Sequence, residues 1–199
     1  MDDEKSQSQD MYTHELKIPK ERIAVLIGIE GETKRKIEQT ASIKLAINSE
    51  EGDVVISSED PVNLFTAQEV VKAIGRGFNP DKALLLLKVD FVLEMISLRE
   101  ISKNKNHLKR IKGRVIGTEG KTRGIIEELT KSNVSVYGKT ICIIARSENA
   151  SIAKRAVEMI IEGRPHSTVY RFLESKRKDM RYSADDGDAE IEDEFKKFI

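Results

Sequence analysis

Ile27-Gly28-Ile29-Glu30-Gly31-Glu32-Thr33 and Ile116-Gly117-Thr118-Glu119-Gly120-Lys121-Thr122 carry one glycine-framed loop twice, at an offset of 89 residues. Each loop follows an apolar stretch, Ala24 to Ile27 or Val115 to Ile116, and runs into a charged helical segment, Glu32 to Gln39 or Lys121 to Leu129. Glycine tolerates positive φ and lets a ligand approach the main chain without meeting a Cβ. The amides that open the next helix, together with its dipole, favour an anion at that point. The paired loops therefore predict two copies of a module built to hold phosphate.

The repeat extends beyond the glycines. The same offset matches Thr33 with Thr122, Ile37 with Ile126, and Glu38 with Glu127. Ser42 to Ile47 and Asn133 to Tyr137 alternate apolar and polar residues, as half-buried strands do. Asp53 to Ile56 and Thr140 to Ile144 are compact apolar runs that read as central strands. Pro61 to Ile74 and Asn149 to Ile161 repeat apolar residues every three or four positions, a helical period. The unit reads strand, short helix, GxxG, helix, two strands, long helix, which is an α+β module used twice in register.

Composition narrows the function. A chain of 199 residues has room for two small domains of about 80 to 100 residues each. With 34% charged residues, 5% aromatics and no Trp, its surface chemistry is ionic. No apolar run exceeds the five residues of Ala83–Leu87, too short to cross a bilayer, and the N-terminus is acidic and polar. A membrane segment and a secretory signal are therefore not expected, and the protein reads as cytoplasmic. The single cysteine, Cys142, lies in an apolar run and offers no intrachain disulfide.

Charge is unevenly placed along a chain whose formal net charge is zero. Residues 1–77 hold 10 basic and 15 acidic side chains, residues 78–182 hold 22 and 12, and residues 183–199 hold 2 and 7. Positive potential thus gathers on the second module. Lys103, Lys105, Lys109, Arg110, Lys112, Arg114, Lys121 and Arg123 bracket its loop. Cations around a phosphate-cradling loop point to a nucleic-acid partner.

This succession of elements, with Ile-Gly closing a helix before GxxG, resembles the type I KH domain. The second copy, Gly113 to Thr130, is similar to the archaeal KH proteins of small-subunit ribosome assembly, the Dim-two (partner of Nob-one) family, over roughly residues 14 to 182. The resemblance implies two tandem type I KH domains, each a three-stranded antiparallel sheet with three helices on one face. They are expected to pack together as one body, because no Gly/Ser-rich spacer separates them. The expected organisation is a disordered N-terminus over 1–12, a first KH domain over 13–77, a connecting helix over 78–90 and a second KH domain over 91–163. A C-terminal helix over 164–182 and an acidic tail over 183–199 complete it. Asn79-Pro80-Asp81 supplies the start of the connecting helix, and Val92 to Leu98 the first strand of the second module.

A KH domain grips the backbone of about four unpaired nucleotides with its GxxG loop and seats the bases on an apolar groove. The main RNA site is therefore expected at Lys109, Arg110, Lys112, Arg114, Ile116, Gly117, Thr118, Glu119, Gly120, Lys121, Thr122 and Arg123. Ile111, Val115 and Ile116 are candidates for the apolar wall, with Ile126 and Val134 as further ones, and each of them has a place in the core as its alternative reading. A weaker site is expected at Ile27, Gly28, Ile29, Glu30, Gly31, Lys34 and Arg35. Glu30 and Glu119 depart from the basic residue many KH loops carry between the glycines. In the first copy Glu32 adds a further negative charge. Lys34 and Arg123 stand where many KH domains place an apolar residue, a feature that fits the ribosome-assembly branch.

The implied role is a single-stranded RNA-binding assembly factor acting near the 3′ end of 16S rRNA and assisting its maturation. Its implied partners are the PIN-domain endonuclease Nob-one, the alpha subunit of translation initiation factor two and the pre-small ribosomal subunit, with the chain itself a monomer. Two alternatives stay open: a KH regulator of mRNA or RNA decay, and a protein-interaction scaffold with degenerate RNA surfaces. An enzyme is not expected. His14, His107 and His166 are scattered and show no zinc-site spacing, and neither loop matches a P-loop or a dinucleotide turn. No cofactor or metal is expected.

Overall fold

The computed structural model describes residues 11–179, and the chain divides into two units, Met1–Leu93 and Glu94–Ile199. The first contains β1 (Tyr12–Lys17), α1 (Lys20–Ile27), α2 (Glu32–Ala41), β2 (Lys44–Asn48), β3 (Asp53–Ser58) and α3 (Pro61–Gly75). After the short α4 (Pro80–Ala83) the order repeats: β4 (Phe91–Ser97), α5 (Lys105–Ile116), α6 (Lys121–Thr130), β5 (Asn133–Tyr137), β6 (Thr140–Arg146) and α7 (Ser147–Ile161). Residues 166–179 form a further helix, α8. The acidic tail and residues 1–10 lie outside the described residues.

Each unit holds a three-stranded antiparallel sheet, in order β1-β3-β2 and β4-β6-β5. The two apolar runs read as central strands are the central strands. β3 alternates, burying Val54, Ile56 and Ser58 on one face, against which α3 packs. Leu26, Ile37 and Ile74 complete that core; Ile126, Ile141, Ile143 and Ile160 are fully buried in the second. Each such side chain contributes roughly 2 kcal/mol through removal from water.

Sequence explains the boundaries. Asp60 accepts a hydrogen bond from the Val62 amide at 2.8 Å, with Pro61 at the first helical position of α3. Asn104 accepts from the amides of Asn106 and His107 to start α5. Asn79 accepts from the Asp81 amide, but the segment is α-helical only to Ala83; Leu84–Leu87 tighten into a 3-10 turn. Ala83 and Leu86 are buried, and this turn packs on α3 within the first unit. β1 begins at Tyr12, inside the segment expected to be disordered, because Tyr12 pairs with Ser58.

The repeat persists at the level of single hydrogen bonds. Glu38 Oε1 accepts from the Leu45 amide at 2.8 Å, and Glu127 Oε1 accepts from the Val134 amide at 2.7 Å. The carbonyls of the same glutamates accept from the Ile43 and Ser132 amides. Ser42 and Lys131, again 89 apart, close the two helices with φ of 53° and 48°. Each glutamate thus ties the end of its helix to the start of the next strand.

Candidate nucleic-acid interface

The two GxxG loops have the same backbone. Gly28 and Gly117 adopt φ of 73° and 74°, Gly31 and Gly120 of 77° and 78°, and between them Glu30 and Glu119 are left-handed at 50° and 53°. A Cβ on Gly117 would stand 2.4 Å from Thr122 Oγ1 and 2.7 Å from the Thr122 nitrogen, and Gly28 meets Thr33 in the same way. The first glycine of each loop therefore seats the chain against its own helix. The second glycine is open: only Arg123 Nη2, at 4.0 Å, approaches a Cβ on Gly120, and nothing approaches one on Gly31. Neither α2 nor α6 has a side-chain N-cap, so the helix dipole faces outward unopposed by one.

The loops differ in charge. The first turn of α2 carries Glu32, whereas that of α6 has no acidic residue. The three basic residues that follow the first loop are engaged locally: Lys34 with Glu38 at 3.9 Å, Lys36 with Asp81 at 2.9 Å, and Arg35 donating to the Glu30 carbonyl at 2.9 Å. Ile29, expected in the weaker site, is 84% exposed at the tip of that loop, while Ile27 is half-buried.

In the second module Lys109, Arg110 and Lys121 are exposed and form no ion pair among the described residues. Thr118 and Glu119 are also exposed. Lys112 Nζ donates to the Gly138 carbonyl at 3.2 Å, and Arg123 Nε lies 3.7 Å from Glu127. Arg114, expected to face phosphate, instead donates through Nη2 to the Arg164 carbonyl, and its Nε is buried without a partner. Thr122 is buried, its Oγ1 3.1 Å from Tyr170 Oη.

For the apolar-wall candidates the choice between groove and core is decided residue by residue. Ile111, Val115, Ile126 and Val134 are all buried and form core. The 3.6-residue period turns Leu108, Ile111 and Val115 to one face of α5 and leaves Lys112, Gly113 and Ile116 on the next. Ile116 remains half-exposed, as do Ile125 and Val136, which sequence reasoning did not single out.

Sequence reasoning also left out the contacts of α8 with the loop. Val169 and Leu173 are buried, His166 Nε2 lies 3.0 Å from the Arg114 carbonyl, and Tyr170 reaches Thr122. The spacing of Val169 and Leu173 announces a docked helix; nothing in the sequence announces its polar partners. Among the described residues there is no cluster of His, Cys, Asp or Glu able to hold a metal. No helix among them is long and apolar enough to cross a membrane.

Comparison with known proteins agrees with this geometry. The KH domain family matches residues 13–75, and the eukaryotic-type, type I KH domain matches residues 92–178. KH domain-containing protein MJ0443 of Methanocaldococcus jannaschii is 45% identical over 177 residues, covering 87% of this chain and 78% of that protein. Dim2p of Pyrococcus horikoshii, solved in an a/eIF2alpha–aDim2p–rRNA complex, superposes with a TM-score of 0.80 at 47% identity, over 85% of this chain and 96% of that one. Pre-rRNA-processing protein pno1 of Aspergillus fumigatus is 32% identical over 117 residues, which is 57% of this chain and 46% of the fungal one. The chain thus spans about half the length of the fungal relative.

Proposed function

We propose, since the chain belongs to the archaeal Dim2/PNO1 family of KH ribosome-assembly proteins, that it binds single-stranded ribosomal RNA through its second KH domain. The observation that carries this reading is the contrast between the loops. Both have the same backbone, but only the second combines an uncapped helix whose first turn carries no acidic residue with unpaired cations at Lys109, Arg110 and Lys121. Phosphates would lie against Gly120, Thr118 and these cations, and Ile116 would border the bases. The first loop, whose following cations Lys34, Arg35 and Lys36 are held by acceptors of the same unit, is the weaker RNA surface.

The target is the region near the 3′ end of 16S rRNA, where binding would present or protect a maturation site. Solution of a relative at 47% identity together with rRNA and a/eIF2alpha supports RNA and the initiation-factor alpha subunit as partners here. The family resemblance extends the proposal to the Nob-one endonuclease and the pre-small subunit, with the chain acting as a monomer. The work proposed for this site is to grip and orient RNA.

The test is binding of a labelled single strand carrying the 16S 3′-terminal sequence, against a scrambled strand, for wild type and Gly120→Asp. Aspartate tolerates the left-handed backbone, and a Cβ there has space, so the variant keeps its fold while placing a carboxylate where phosphate would sit. Selective binding lost in the variant supports the proposal. Equal binding to both strands removes the ribosomal assignment, and absence of binding removes RNA altogether.

A further inference from the structure

Residues 185–194 carry seven Asp or Glu and no Lys or Arg. The second module carries cations that its own carboxylates leave unused. Lys103, Lys105, Lys109, Arg110 and Lys121 are exposed and form no ion pair among the described residues. The acidic segment and the cationic surface therefore meet the same need from opposite sides.

Charge directs the segment to the second module rather than the first. Residues 1–77 hold 10 basic against 15 acidic side chains and repel it. The cations after the first loop, Lys34, Arg35 and Lys36, are already held by Glu38, the Glu30 carbonyl and Asp81. Residues 78–182 hold 22 basic against 12 acidic side chains and attract it.

Connectivity brings the two within reach. α8 is fixed at the base of the second loop, His166 by the Arg114 carbonyl and Tyr170 by Thr122, and runs on to Asp179. From Tyr170 to Asp179 the helix rises about 14 Å. The six residues from there to Asp185 span up to about 20 Å when extended. The first carboxylate of the segment thus reaches back to the loop, and the residues after it extend that reach across the cations. A tethered ligand meets its site at an effective concentration in the millimolar range, so weak ionic contacts are enough to occupy it.

We infer that residues 185–194 are an intramolecular competitor for RNA. Their carboxylates lie on Lys109, Arg110 and Lys121 when no strand is bound, in the places that phosphates take, and RNA must displace them. This rests on the RNA-binding reading above and adds its regulation. The segment lowers the affinity for every strand by the same factor. At a given RNA concentration it therefore empties the site of weakly held sequences first.

The experiment compares the wild-type full chain with a full-length variant carrying Asp185→Asn, Asp186→Asn, Asp188→Asn, Glu190→Gln, Glu192→Gln, Asp193→Asn and Glu194→Gln together. Amide NMR spectra are read first, without RNA and at low salt. The signals of Lys109, Arg110, Lys121 and the loop from Gly117 to Gly120 are expected to differ between the two proteins, while those of Lys34 to Lys36 stay in place. Binding of a fluorescent single strand carrying the 16S 3′-terminal sequence is read second. The variant is expected to bind about tenfold more tightly at low salt, as for a segment that occupies the site about nine-tenths of the time. The gap is expected to close as salt rises. Unchanged signals at the second loop overturn the inference whatever the RNA result. Shifts confined to Arg177 and Lys178, cations nearer in sequence, overturn it as well, and so does equal RNA affinity at low salt. If neither protein binds the strand, competition fails together with the RNA-binding reading, and the NMR shifts report the docking contact separately.

Discussion

Tyr170 Oη stands 3.1 Å from Thr122 Oγ1, joining the helix that follows α7 to the first turn of α6, directly behind the second GxxG loop. Thr122 is buried, and the same hydroxyl is what a Cβ on Gly117 would strike. The C-terminal helix is thus part of the loop's support. Tyr170→Phe leaves the Thr122 hydroxyl without that partner and is expected to cost about 1 kcal/mol of second-domain stability. A double-mutant cycle with Thr122→Val, read by urea denaturation, measures the pair itself. A coupling energy indistinguishable from zero would show that the contact contributes nothing.

The two glycines of the second loop are expected to respond unequally to alanine. At Gly117 the new Cβ meets a backbone nitrogen at 2.7 Å, which no rotamer change relieves, and φ is 74°. Gly120 has similar φ but open space. Gly120→Ala should cost about 1 kcal/mol from the left-handed backbone alone, and Gly117→Ala roughly 3 kcal/mol or loss of the folded domain. Equal melting temperatures for the two variants would contradict this division of labour.

Much of this was legible because the chain repeats itself. The offset that aligned Glu38 with Glu127 also aligned the bonds those residues make to Leu45 and Val134. Side-chain fate was less legible. Thr122 and Arg114 carry the residue types of an RNA surface, yet one is buried and the other is turned to a carbonyl. Their partners, Tyr170 and Arg164, lie 48 and 50 residues away, and no local pattern encodes a contact at that separation. The choice between groove and core stayed open in the sequence for a different reason: periodicity tells which residues share a face but not that the face of Ile111 and Val115 is the one turned inward.

Phosphate contacts reveal themselves through salt. Lys109, Arg110 and Lys121 are exposed and unpaired, so replacing each with alanine should weaken RNA binding and reduce the slope of log K against log salt by about 0.7. Lys36 is held by Asp81 at 2.9 Å in the first module, and Lys36→Ala should leave the slope unchanged. An equal loss of slope for Lys36→Ala would mean that the first loop also binds the strand.

Arg114 separates two roles that the sequence alone merges. In the first module Arg22 of α1 donates through Nε to the Ile74 carbonyl at 2.8 Å and through Nη2 to the Phe78 carbonyl at 2.6 Å, closing the end of α3. In the second, Arg114 of α5 performs the matching task for the Arg164 carbonyl after α7. The two are not equivalent at the repeat offset: Arg22 aligns with Ile111, three residues and about one helical turn from Arg114. The clamp is therefore kept while its position on the helix has moved. If Arg114 serves as that clamp, Arg114→Ala lowers the melting temperature through a carbonyl left unsatisfied, a cost of about 1 to 3 kcal/mol. It then weakens RNA binding with little change in salt slope. If it serves as a phosphate contact, the slope falls by about 0.7 while the melting temperature stays put. The hydrogen bond to Arg164 and the buried Nε predict the first outcome.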